Sequence, residues 1–209
     1  MARLVAGIGL NNFCNYSLYK GKVMVQLTRI YTKGGDKGKT SLGSGQRVMK
    51  CSEIIQAIGD VDETNSYIGI VRYHCKNSEI DQALTQIQND LFDLGADLCM
   101  PENQENALRI MASQVDWLEN KIDLYNAELS DLKSFVLPGG NEVAAHVYVV
   151  RAICRRAERS AVAVQEKGGI SPLAVKYLNR LSDLLFVLGR YLNDKGKTDV
   201  LWQPGASQK

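Results

Sequence analysis

Ten consecutive residues, Thr32-Lys33-Gly34-Gly35-Asp36-Lys37-Gly38-Lys39-Thr40-Ser41, combine glycines, cations and hydroxyls. Glycines let a backbone turn its N–H groups toward an anion, lysines neutralise its charge, and hydroxyls donate to its oxygens or hold a divalent metal. A polyphosphate is the natural ligand of such a loop. The positive charge runs beyond it: from Arg29 to Lys50 there are six bases (Arg29, Lys33, Lys37, Lys39, Arg47 and Lys50) against one acid, Asp36, in a chain of net charge +2. Gly38-Lys39-Thr40 also matches the end of a P-loop. The leading glycine of that motif would fall on Lys33, however, and no convincing hydrophobic strand precedes it. Composition alone leaves a solvated basic loop open as the other reading.

A second cationic group lies at Arg151, Arg155, Glu158 and Arg159, whose spacing puts all four on one side of a helix, with Arg156 pointing elsewhere. Glu158 is placed to hold Arg155 by an i, i+3 pair, which would fix a planar cation for bidentate recognition of phosphate or carboxylate. Exposed helix faces often carry such charges. Here Ala144, Ala145, Val147, Val149, Val150, Ile153, Ala157, Ala161 and Val164 leave little of the helix for solvent, so these cations are expected to meet specific anions. Candidate carboxylates are Asp62, Glu63 and Asp183. Asp62 shares a predicted helical face with Asn65, Ser66 and Gly69, a small polar strip suited to a close interface.

His74 and His146 are the only histidines, and they are far apart in sequence. Neither falls in a metal-ligand or triad pattern, so each reads as an ordinary surface or satisfied histidine and no protein metal site is expected. No cysteine or serine stands in a nucleophile motif. An enzyme built this way would rely on positioning and charge neutralisation more than on proton transfer.

The elements that must position these groups are helical. Ile54, Ile55, Ile58, Val61, Ile68 and Val71 recur at helical spacing within Ser52 to Cys75, and Leu84, Ile87, Leu91, Leu94 and Leu98 do so within Asp81 to Cys99. A third helix, Ser113 to Leu129, carries Val115, Leu118, Ile122 and Tyr125. Phe135-Val136-Leu137 is extended and runs into Pro138-Gly139-Gly140, which breaks regular structure. The fourth helix spans Asn141 to Glu166. Ser171 and Pro172 cap and open the fifth, whose stripe is Leu178, Leu181, Leu185, Leu188 and Leu192. The fold class is all-α, a five-helix bundle behind an N-terminal glycine-rich basic loop.

A chain of 209 residues suits one domain with a self-sufficient core, and net charge +2 excludes nucleic acid or membrane as a bulk partner. Five scattered cysteines without a C-x-x-C pair argue against a disulfide framework and for a reduced, cytoplasmic setting. Residues 1–28 carry only basic charges and the apolar run Leu4 to Leu10; a disordered extension is favoured over a targeting segment, with Met24 as an alternative start.

Three blocks then resemble the PduO-type ATP:cob(I)alamin adenosyltransferases: Tyr31 to Gly38 with Thr40-Ser41-Leu42; Gly59-Asp60-Val61-Asp62-Glu63-Thr64-Asn65; and Leu137-Pro138-Gly139-Gly140 followed by Arg151 to Arg159. Tyr177-Leu178-Asn179-Arg180-Leu181-Ser182-Asp183 supports them. The resemblance covers residues 29–205, leaving 206–209 as a tail. It implies a homotrimer with active sites between subunits, and transfer of the 5′-deoxyadenosyl group of ATP to the cobalt of cob(I)alamin, with Mg²⁺ on the triphosphate. It further implies that Thr32, Lys33, Gly34, Gly35, Thr40, Ser41 and Lys50 hold ATP together with Arg155, Arg156, Glu158, Arg159 and Asn179. Arg155, Glu158 and Phe135 would be catalytic, Phe135 lying against the corrin, and Asp62 would pair with Arg151 across the interface. An external cob(II)alamin reductase and an adenosylcobalamin-dependent acceptor enzyme are the implied partners. Thr64 stands where relatives commonly have leucine. An ATP-gated corrinoid carrier without catalysis, a phosphotransferase and a plain interaction bundle remain the alternatives.

Overall fold

The computed structural model describes residues 31, 33–102 and 104–208, together with the backbone of 17–19 and 22–24. Its helices are α1 (Glu53–His74), α2 (Ser78–Leu98), α3 (Ala112–Asn126), α4 (Glu142–Gln165) and α5 (Pro172–Leu192). Four short strands precede them: β1 (Ser17–Tyr19) pairs antiparallel with β2 (Lys22–Met24), and β3 (Lys39–Ser41) pairs antiparallel with β4 (Arg47–Met49). Six residues of the segment expected to be disordered thus carry backbone pairing, in keeping with the strand preference of Tyr19 and Val23.

Side-chain caps fix several helix starts. Asn77 accepts from the N–H groups of Glu79 and Ile80, so α2 begins at Ser78, one turn before the apolar stripe that places its start at Asp81. Asn141 accepts from Ala144 N–H to open α4. Ser171 does the same for Leu173 N–H, with Pro172 at the first turn of α5.

The stripes predicted from periodicity form the core. Ile58, Val61, Ile68, Leu84, Leu91, Leu94, Leu178, Leu181, Leu185 and Leu188 have no measurable solvent exposure, each burial being worth about 1.5–3 kcal/mol. Polar contacts show how the helices run. Along α1 and α4, Glu53 meets Lys167, Asp60 meets Arg156 and Ser160, and His74 meets Glu142, an order that makes the pair antiparallel. Asn141 reaches Leu192 and Glu158 reaches Asn179, so α4 and α5 are antiparallel too. Arg72–Asp81 and Asn65–Gln88 set α2 against α1 in the same sense, whereas Glu119–Arg180 and Tyr125–Tyr191 place α3 parallel to α5.

Buried polar groups lock the bundle ends. Asp97, fully buried on α2, accepts from Arg109 at 2.6 Å and from Ile110 N–H at 2.9 Å. Asp90 accepts from Gln114 and from the Tyr177 hydroxyl, and burial pushes its carboxyl above the ordinary range. Arg190, 4% exposed, donates to Asp199 at 2.9 Å and to Ser130 O at 2.9 Å. Cys51, Cys75 and Cys154 carry free thiols. No helix among the described residues is long and apolar enough to cross a membrane.

Asp199→Ala strands the buried Arg190 cation and is expected to cost about 3–5 kcal/mol. A urea midpoint series measures it, and a loss below about 1 kcal/mol would mean that the pair behaves like an exposed one.

Candidate nucleotide and corrinoid site

The basic loop is a turn closing onto the β3–β4 hairpin. Lys33 has φ 59° and Gly38 φ 77°, both in the left-handed region, and Gly38 N–H donates to Gly35 O at 3.1 Å. Arg47 ties this turn to the hairpin: its guanidinium donates to Gly34 O at 2.7 Å, to Ser41 Oγ at 3.2 Å and to Lys39 O at 3.4 Å. Spending one cation on backbone carbonyls leaves Lys33, Lys37, Lys39 and Lys50 with exposed side chains. Lys50 lies against the glycines, since a Cβ at Gly35 would stand 3.0 Å from its Nζ, a contact the exposed lysine end could yield to. Thr40 points inward, 1% exposed, and Ser41 is half-buried. Thr32 lies outside the described residues. Sequence reading counted Arg47 only as one base among six; its place opposite Ser41 in the hairpin register is what reveals its role.

The hairpin rests on the far ends of the helices. Gly43 N–H donates to Cys99 O at 3.0 Å, and a cavity of about 610 Å³ lies between Leu42, Val48, Leu98, Met100 and Val164. The lining also includes Gln46 and Glu102, and none of the described residues from Lys33 to Ser41 takes part in it.

On α4 the arginines separate by rotation. Arg156 is drawn to α1, where it meets Asp60 at 3.4 Å and Glu63. Asp60 is 3% exposed and also accepts from Ser160 Oγ at 2.6 Å and Gln56 at 2.9 Å. The Arg151 guanidinium lies over the Phe186 ring at 5.4 Å. Glu158 does not form the expected pair with Arg155. It accepts instead from Asn179 Nδ2 at 2.9 Å, because α5 offers a fixed donor on that side. Asn179 in turn accepts from Arg180, which binds Glu119 at 2.8 Å and holds that carboxyl below its usual range. Arg155 and Arg159 are exposed and have no ion-pair partner among the described residues. The expectation that little of α4 faces outward is corrected as well: α1 and α5 flank the helix and leave Val149, Ala152, Arg155, Arg159 and Val162 uncovered. Cys154, beside these cations but completely buried, has its thiol pushed up by burial and by Glu158, and offers no nucleophile.

Phe135 is 76% exposed, although its backbone is firmly held. Trp202 N–H donates to Phe135 O at 2.7 Å, Leu137 N–H donates to Val200 O at 2.8 Å, and Ser134 Oγ donates to Trp202 O at 2.7 Å. The Trp202 ring stands 6.0 Å from that of Phe135. Asn193 staples the following turn, donating to Gly139 O at 3.0 Å and accepting from Asn141 N–H at 3.1 Å. Gly140, at φ 109°, packs so closely on Asn193 that a side chain has no room. Asn193 and Trp202 escaped the sequence reading; a tryptophan outside every amphipathic helix was the available signal.

Asp62 and Ser66 are exposed on α1, and partial desolvation raises the Asp62 carboxyl above its ordinary range. Asn65 does not belong to that strip. It is 4% exposed and exchanges two hydrogen bonds with Gln88 of α2, each 3.1 Å. Asp183 is exposed. The two histidines, expected to be unrelated, stack with ring centroids 5.0 Å apart, and His74 Nδ1 lies 3.3 Å from Glu142. The antiparallel register of α1 and α4 brings them together, which sequence distance conceals.

A family profile described as "Cobalamin adenosyltransferase" matches residues 30–192. The corrinoid adenosyltransferase of Mycobacterium tuberculosis (strain ATCC 25618 / H37Rv) is 50% identical over 190 residues, covering 88% of this chain and 97% of the relative. That of Bacillus subtilis (strain 168) is 38% identical over 183 residues, covering 85% and 94%. Among solved structures, a phenylalanine-to-alanine variant of a PduO-type ATP:corrinoid adenosyltransferase from Lactobacillus reuteri, complexed with cobalamin and ATP, superposes with a TM-score of 0.79 at 36% identity over 84% of this chain and 99% of that one. With the profile spanning most of the bundle and half of the aligned residues identical to a curated relative, the chain belongs to the cobalamin adenosyltransferase family.

Proposed function

We propose that this protein transfers the 5′-deoxyadenosyl group of ATP to the cobalt of cob(I)alamin or a related corrinoid, releasing tripolyphosphate and forming adenosylcobalamin. The observation that carries this reading is a relative of the same fold holding both ATP and cobalamin, at 36% identity.

The chain's groups suit that reaction. Cobalt(I) is itself the nucleophile: it forms the bond to the 5′ carbon as the bond from that carbon to the triphosphate oxygen breaks, so no protein base is required. Negative charge gathers on the departing triphosphate. Lys33 and Lys50, the backbone of Gly34 and Gly35, and Arg155 and Arg159 are the groups available to stabilise it. Thr32, Thr40 and Ser41 add hydroxyls, and Arg156, Glu158 and Asn179 complete the assigned set. Glu158 and Asn179, bonded to each other, act as a positioning pair, and Arg156 anchors α4 to α1. Mg²⁺ binds through phosphate oxygens and water with few protein ligands, which fits a loop offering Asp36 and Ser41. Phe135 would lie against the corrin, excluding water and a lower axial ligand.

Assembly as a homotrimer belongs to the same reading, with each site between neighbouring subunits and Asp62 of one subunit on Arg151 of the next. The uncovered stripe Val149, Ala152, Arg155, Arg159 and Val162 supports it, because it mixes apolar residues with cations that lack acids of their own. Residues 29–205 as the catalytic unit, flanked by 1–28 and 206–209, and a cytoplasmic setting belong to the same reading. Reducing equivalents come from an external cob(II)alamin reductase, and the product passes to an adenosylcobalamin-dependent enzyme.

Incubation with Mg-ATP and chemically reduced cobalamin, followed by visible spectra and an assay for free tripolyphosphate, tests the proposal. Release of ADP would indicate a phosphotransferase, and ATP binding without product would indicate a carrier. Arg155→Ala is expected to lose at least about 100-fold in turnover, the scale of removing one charge-stabilising donor, while its exposed position leaves the melting temperature nearly unchanged. Turnover at the parent rate would remove Arg155 from the site. Asp62→Ala is expected to weaken trimer assembly or ATP affinity, read by sedimentation and by nucleotide titration. An intact trimer with unchanged ATP binding would exclude the Asp62–Arg151 pairing.

A further inference from the structure

The assigned site leaves one group of chemistry-bearing side chains unused: His74, Glu142 and His146. His74 is in the last turn of α1, and Glu142 and His146 lie one turn apart at the start of α4. Their ligand atoms all fall within 4.8 Å of one another. His74 Nδ1 stands 3.3 Å from Glu142 Oε1, and the imidazoles stack with centroids 5.0 Å apart and planes at 25°. The histidines are half-buried and Glu142 is exposed, so the cluster opens to solvent on one side. We propose that His74, Glu142 and His146 form a binding site for a borderline divalent transition ion such as Zn²⁺, pinning the end of α1 to the start of α4.

Donor chemistry sets the ion class. Two imidazoles with one carboxylate suit Zn²⁺, Co²⁺ or Ni²⁺, whereas Mg²⁺ prefers an all-oxygen shell. Bonds of about 2.0–2.1 Å hold tetrahedral donors roughly 3.4 Å apart. The His74–Glu142 separation already meets that, and a side-chain adjustment of about 1–1.5 Å brings in the third ligand. A fourth position stays open for water. The last-turn carbonyls of α1 add negative potential near His74, which favours a cation. An imidazole–carboxylate contact would account for His74 and Glu142 alone. It does not account for His146, whose ring completes the group.

The site is separate from the proposed triphosphate grip. His74 is about 21 Å along α1 from Asp60 at 1.5 Å per residue, and Asp60 is the residue that meets Arg156. It borders the Phe135 segment instead. Asn141, immediately before Glu142, caps α4 and is bonded to Asn193, the residue that staples Gly139. An ion on Glu142 and His146 would therefore anchor the helix start from which the Phe135 turn hangs.

The test uses the full chain, stripped with a chelator and titrated with Zn²⁺ by calorimetry in Mg²⁺-containing buffer, with Co²⁺ absorption spectra as a second readout. About one Zn²⁺ per chain is expected, given one such cluster among the described residues. His146→Ala and Glu142→Gln should each weaken binding by about 100-fold or more, at least the loss seen when a supporting residue of a metal site is removed. Cys75→Ser, which removes the nearest free thiol in sequence, should leave Zn²⁺ binding unchanged, and all three variants should bind ATP like the parent. Should His146→Ala fail to fold, His146→Gln removes the imidazole while keeping a polar side chain. Absence of Zn²⁺ binding, binding that survives loss of His146, or binding that disappears with Cys75 overturns the proposal.

Discussion

The rest of the structure depends on how a single carboxylate is buried between α1 and α4. Asp60 is 3% exposed and receives Gln56 from its own helix and both Arg156 and Ser160 from α4. A charge so deeply placed is costly unless it is paired and hydrogen-bonded, and removing one partner is far worse than replacing both. The contact therefore fixes α4 in rotation as well as in position. At 100° per residue, turning Arg156 and Ser160 toward α1 turns Glu158 toward α5 and leaves Arg155 and Arg159 on the uncovered side. One buried pair thus decides which arginines are structural and which stay available to an anion.

That division resolves a difficulty in the charge distribution. Four cations, Arg151, Arg155, Arg156 and Arg159, within nine residues would repel one another if all faced the same way. They do not. Arg156 is neutralised by Asp60 and Glu63, and Arg151 spreads over the Phe186 ring, a placement suited to a weakly hydrated guanidinium. The two that remain present a local positive field without an acid of their own. Arg47 is likewise committed within the loop, donating to the carbonyls of Gly34 and Lys39 while the neighbouring lysines stay exposed.

Legibility in the sequence followed the range of the interactions. The five helices were readable because their stripes repeat every 3.6 residues, and Ser171-Pro172 marked a start by local chemistry. The β3–β4 hairpin was not, since three-residue strands such as Lys39-Thr40-Ser41 carry no periodic signal and are held by an arginine that reads only as charge. The polar strip on α1 was misread at Asn65, because a helical wheel gives direction but not the neighbour waiting there, in this case Gln88. Asp60 sits on the same wheel beside Ile58 and Val61, and its burial needed the donors of α4. His74 and His146 met only once the antiparallel register was known.

Two parts of the proposed site share a construction that follows from the cost of ordering. The turn at Lys33 to Gly38 and the Phe135 segment are each held through backbone groups: by Arg47 on carbonyls in one case, and by the Val136–Leu201 bridge with Asn193 and Ser134 in the other. Backbone anchoring fixes where a side chain starts without occupying it. Phe135 can then stay 76% exposed although exposure of an aromatic ring forgoes a few kcal/mol of burial, because the C-terminal segment and not the ring supplies the stability of the turn. That segment depends on Arg190 and Asp199, buried at the end of α5. The same bundle end that closes the core therefore presents an apolar surface, Phe135 with Leu137 and Trp202, that the described residues leave exposed. A surface held open by its backbone in this way is already ordered, and an ordered turn loses little further entropy on binding.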